Sequence, residues 1–117
     1  MTTKTKQARI SAELEKLRTL FSSLPGAELQ FLQPLMSNAA FMAVTLADLQ
    51  DEINAQGAVD EYQNGAAQFG KKASATIQAY NATMKVYLAT MRDLLTRLPK
   101  EQRASALADL LNGGGDE

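Results

Sequence analysis

The sequence predicts an all-α fold: a long antiparallel helical hairpin, preceded by an N-terminal helix, followed by a short C-terminal helix, and oligomerising through heptad-like seams. Three observations predict it. Apolar residues recur at spacings of three and four over most of the chain. Breaks rich in proline and glycine, Pro25-Gly26, Gly57 and Leu98-Pro99, separate those stretches. The length, 117 residues of which 45% are hydrophobic, suits one helical domain over 1–112, with 113–117 a flexible acidic tail.

The first helix is expected over about 6–24. Its apolar positions Ile10, Leu14, Leu17, Phe21 and Leu24 step by four, three, four and three, and Pro25-Gly26 ends the pattern because proline lacks an N–H and glycine accepts unusual backbone angles. The second is expected over about 34–56. Leu32, Leu35, Ala39, Met42, Leu46, Leu49 and Ile53 carry its stripe, and 27–33 either forms a separate short helical turn or belongs to one helix kinked at Pro34, the start at Pro34 being preferred. Pro34 sits where a first turn tolerates a missing N–H, and Gly57 closes the helix.

The third helix, over about 75–98, has the cleanest pattern: Ile77, Tyr80, Met84, Tyr87, Met91, Leu94 and Leu98. Ser74 is placed to cap its N-terminus, and Arg92 and Arg97 suit the negative end of its dipole. Leu98-Pro99 stops it. A fourth helix over about 100–112 carries Ala104, Leu107, Leu110 and Leu111 as its apolar stripe. The 3.5-residue repeat of the first and third helices is the coiled-coil period. Ile10, Leu14, Leu17 and Phe21, with Tyr80, Met84, Tyr87 and Met91, are therefore the expected oligomer seam, the alternative being that they form a core within the chain.

Composition excludes several chemistries. There is no histidine and no cysteine, which removes the usual base near neutral pH, the commonest metal ligand, thiolate sites and disulfides. Asp48, Asp51 and Glu52 cluster on the second helix but are expected to form a solvated acidic face. No phosphate-binding glycine loop of the Walker type occurs. The chain is expected not to be an enzyme and to use no cofactor. It has neither a signal peptide nor an unbroken apolar span, so the expectation is a cytoplasmic protein without a membrane partner.

Charge is segregated. Residues 1–20 carry a net +3, 21–70 a net −6, 71–103 a net +5 and 104–117 a net −3. Such blocks suit pairing within or between chains and leave room for an anionic partner. Lys4, Lys6 and Arg9 form a basic arm, and Lys71 and Lys72 a second basic site. From charge alone, these five are the expected DNA contacts.

The connection 57–73 is larger than a helical hairpin needs. From Glu61 to Ser74 it holds two glycines, two aromatics, three side-chain amides and a lysine pair. Asn64-Gly65 is a strong turn dipeptide. With Tyr62 before it and Phe69-Gly70 after it, a small folded loop or hairpin is expected. Tyr62, Asn64, Gly65, Phe69 and Gly70 either meet a partner or cap the helical pair.

The run Gly57-Ala58-Val59-Asp60-Glu61-Tyr62-Gln63-Asn64-Gly65, then Gln68-Phe69-Gly70-Lys71-Lys72-Ala73-Ser74, then Tyr80, Lys85, Tyr87 and Leu94-Leu95…Leu98-Pro99-Lys100 resembles small terminase subunits of tailed bacteriophages and prophages. The resemblance covers about residues 34–100, and the loop is its most specific part. It implies a non-catalytic, helical, ring-forming DNA-packaging adaptor in the cytoplasm of a bacterial host. Its implied partners are double-stranded viral DNA, further copies of itself, and a large subunit carrying the ATPase and nuclease. Many such subunits begin with a helix-turn-helix; here only about 30 residues precede the matching region, so a separate DNA-reading domain is not expected from this stretch.

Overall fold

The computed structural model describes residues 5–56, 59–63 and 69–111, the strand residues and the last two positions by their backbone alone. Four helices, α1 (Lys6–Leu20), α2 (Gly26–Gln56), α3 (Ala75–Leu95) and α4 (Lys100–Leu111), form the all-α frame. Two short strands, β1 (Val59–Gln63) and β2 (Phe69–Ala73), lie in the connection between α2 and α3. The long α2 packs against both α1 and α3.

Local signals set the helix starts. The Thr5 hydroxyl accepts the Ala8 N–H at 3.1 Å and caps α1. The Ser74 hydroxyl accepts the Ile77 N–H at 3.0 Å and caps α3 as the sequence predicts; each satisfies a donor that the first turn leaves without an intrahelical partner. Where α1 ends at Leu20, the Phe21 N–H still reaches the Leu17 carbonyl at 3.1 Å. The Pro25 carbonyl accepts the Leu29 N–H at 2.9 Å and opens α2. Pro99 does the same for α4, accepting from Gln102 and Arg103.

The largest departure from expectation is the start of α2. It begins at Gly26 rather than Pro34 and runs 31 residues with Pro34 inside it. An interior proline costs about 3 kcal/mol. Leu32 and Met36 flank Pro34 and are 0% and 1% exposed. Burying each is worth about 1.5–3 kcal/mol, and keeping both on one helical face offsets the cost. Pro34 itself lies on the exposed side. The other ends are shorter than expected: α1 stops four residues early and α3 at Leu95, yet Leu24 and Leu98 still pack into the core. On α4 the core residue is Ala106, while Leu107, expected in the stripe, is 47% exposed and Ala104 is also exposed.

The core lies at one end. Leu17 and Phe21 of the α1 end meet Leu32, Met36, Ala39 and Ala40 of early α2, Met91, Leu94 and Leu98 of the α3 end, and Ala106 of α4. Early α2 against late α3 makes the pair antiparallel. A hydrogen bond from the Ser23 hydroxyl to Gln102 Oε1, 2.6 Å, ties the α1–α2 turn to α4. Away from this cluster, 47–56 and 75–90 contain no buried side chain. The radius of gyration, 18.1 Å, exceeds the roughly 13 Å expected of a compact chain this long, and the extents are 64 × 36 × 24 Å.

Candidate functional site

The connection that the sequence singles out forms an antiparallel two-stranded ribbon. Its register places Val59 opposite Ala73, Asp60 opposite Lys72, Glu61 opposite Lys71, Tyr62 opposite Gly70 and Gln63 opposite Phe69. The lysine pair therefore stands opposite the acidic pair in the register. Tyr62 and Phe69 sit on different strands near the tip. Asn64 and Gly65 lie outside the described residues, between Gln63 and Phe69.

The basic arm is not free-standing. Lys4 lies outside the described residues. Lys6 and Arg9 occupy the first turns of α1. The Lys6 ammonium stands 4.8 Å from the centre of the Phe41 ring on α2, and the Arg9 guanidinium pairs with the Asp48 carboxylate at 2.8 Å. Both contacts hold the start of α1 against α2. Arg9 thereby answers one carboxylate of the Asp48–Asp51–Glu52 cluster. Among the described residues no three acidic side chains gather as a metal site would require.

Six of the eight residues expected to join subunits belong to the core within the chain or pack against it. Leu17, Phe21 and Met91 are buried, with Ile10, Leu14 and Tyr87 packed against them. Tyr80 and Met84 are half-buried on α3. Beside Tyr87 a groove of about 400 Å³ opens between α1 and α3, floored by Ala39 and Ala43 of α2 and reaching Asp109 of α4. Burial raises the Tyr87 phenol above its ordinary pKa of 10.0; nearby Glu13 adds to the rise and Lys16 opposes it.

Sequence spacing did not single out the cations that the fold leaves exposed. Lys85 and Arg92 are exposed on α3 and seven residues apart, so they share one face about 10 Å apart along the axis. Arg97 and Lys100 follow, also exposed. Their signal was present as the net +5 of residues 71–103; a charge sum does not separate paired from unpaired groups. A second face of α3 carries Ala75, Ala79, Ala82, Val86 and Ala89, all exposed.

The fold defines the protein class as a four-helix all-α domain with a charged β-ribbon between its two longest helices. No family model, no curated protein and no solved structure matches the chain. Among the described residues no helix is long and apolar enough to cross a membrane.

Proposed function

We propose that this chain is a non-catalytic small terminase subunit. In this reading it is an oligomeric, ring-forming adaptor that binds viral DNA in a bacterial cytoplasm and recruits or regulates the large ATPase–nuclease subunit. The observation that carries the reading is the 57–73 connection. The stretch on which the resemblance rests most specifically is a charged ribbon with its own strand pairing, at the end of the α2–α3 pair away from the core. An element of that kind, larger than a turn requires, suits contact with a partner. The exposed Lys85, Arg92, Arg97 and Lys100 supply a surface for phosphates that Lys6 and Arg9, engaged with Phe41 and Asp48, do not.

The second reading is a helical interaction module that binds no DNA. It is favoured by the register, which sets Lys71 and Lys72 against Glu61 and Asp60. Filter binding with duplex DNA over a salt series separates the two. The adaptor reading expects retention at low salt and an affinity that falls linearly, on logarithmic axes, as salt rises. Replacing Lys85 and Arg92 together by glutamine should reduce that slope by about 2. Absence of retention at every salt concentration refutes DNA binding and leaves the module.

A further inference from the structure

The groove beside Tyr87 follows from small residues on α2. Ala39 and Ala43 stand four apart on one face of that helix, and neither sends a side chain beyond Cβ into the space between α1 and α3. Leu17 and Leu20 of α1 line one side and Tyr87 of α3 the other, leaving an opening of about 400 Å³. Small-molecule sites occupy about 300–1,000 Å³, are largely apolar within and carry a few polar groups that fix the ligand's orientation.

The charged groups of this groove are mostly acidic. Glu13, Glu15 and Asp109 line it against a single cation, Lys16. The Lys16 ammonium is already held by Glu13 at 3.0 Å, and Glu15 meets Arg18 at 3.5 Å. Asp109 has no ion-pair partner among the described residues. The groove therefore joins an apolar interior to an unanswered carboxylate and an excess of negative charge.

We propose that this groove binds a small amphipathic organic cation, an ammonium carried on an apolar body. The body lies against Leu17, Leu20 and Ala43, and the Asp109 carboxylate accepts the ammonium N–H. An anion of the same shape would meet three carboxylates and one ammonium. A neutral molecule would forgo the charge-assisted hydrogen bond, the stronger kind. Residues of α1, α2, α3 and α4 all line the groove, so an occupant touches every helix and stabilises the folded chain by mass action. The inference is independent of the adaptor reading, because it needs neither DNA nor a second copy.

The test uses three probes with one apolar body: phenylbutylamine, phenylbutanol and phenylbutanoate. Each is titrated at neutral pH into the isotope-labelled full chain, and amide shifts are followed by NMR. The amine should give saturable shifts centred on Leu20 and Ala43 and bind about five-fold or more tightly than the alcohol. The carboxylate should not saturate up to about 10 mM, a generous limit for so small a ligand. Asp109 is exposed, so Asp109→Asn should leave helical circular dichroism intact and erase the difference between amine and alcohol. Ala43→Leu fills the floor and should weaken both by about ten-fold. Equal affinity of amine and alcohol for the wild type would overturn the assignment of a cation. An amine affinity unchanged by Asp109→Asn, or shifts that centre away from the groove, would overturn the site. So would an amine that never saturates. Should Ala43→Leu lose its helical signal, Asp109→Asn and the position of the shifts decide alone.

Discussion

Phe21→Ala separates a seam used within the chain from one used between chains. Phe21 is 0% exposed in the single chain, at the point where the end of α1 meets α2, α3 and α4. Removing a fully buried phenylalanine side chain costs about 3–5 kcal/mol, as lost transfer free energy plus the cavity left behind. An unfolding entropy near 2.1 cal/mol/K per residue, over the 117 residues of this chain, converts that loss to a fall in Tm of about 12–20 °C. Urea denaturation followed by circular dichroism measures it, and the slope m should stay constant while the midpoint moves. The loss should also be independent of protein concentration, because the side chain is covered by its own chain. A loss below about 1 kcal/mol would refute the placement of Phe21 in the core. So would a variant that dissociates while its monomer keeps wild-type stability.

Four further outcomes follow from single positions. Pro34→Ala restores an N–H and removes a ring clash within α2, so stability should rise by about 2 kcal/mol; a fall in the urea midpoint would contradict a continuous helix there. Thr45 Oγ1 is buried without a hydrogen-bond partner, so Thr45→Val should leave stability unchanged or raise it by about 1 kcal/mol, read from the same denaturation curve. Tyr87 holds its proton more tightly folded than unfolded, so its contribution is complete below pH 10 and is lost as pH rises through the folded value. Absorbance titration at alkaline pH should show a late-ionising phase that is missing in Tyr87→Phe. Asp48→Asn breaks the partly exposed pair with Arg9 and should cost under about 1 kcal/mol, with the loss shrinking in high salt on melting curves.

The frame was legible because its signals are local. Ser74 caps α3 through a bond three residues long, and the stripe of α1 from Ile10 to Leu24 is the face that packs. Of the two readings of Pro34, the preferred start there gave way to one helix running through it, because the start-of-helix preference of proline is local, whereas the burial of Leu32 and Met36 that overrides it depends on α1, α3 and α4. The strands were foreshadowed only by Asn64-Gly65. Val-Asp-Glu-Tyr-Gln and Phe-Gly-Lys-Lys-Ala lack the strict alternation of a half-buried strand, so periodicity did not report them. The intramolecular partners of the arm were not legible for a different reason: Phe41 and Asp48 are more than thirty residues from Lys6 and Arg9, and only the folding of α1 onto α2 reveals them as partners. Spacing marks the seam residues as an apolar face, six of which meet the core, but it cannot say whose chain covers the face.

The one-sided core has a mechanical consequence. Opening the ends of α2 and α3 next to the ribbon exposes the buried Ser74 cap but no buried side chain over 47–56 or 75–90, so that half can fray without the cluster around Phe21 and Leu94 coming apart. Amide exchange should grade along the two helices, fast beside the ribbon and slow toward the core. A protease cut within the connection should leave two fragments that remain associated through the core. Whatever engages the ribbon thus acts beside the half of the α2–α3 pair that has few buried side chains, where a modest binding energy is enough to set the order of two helices.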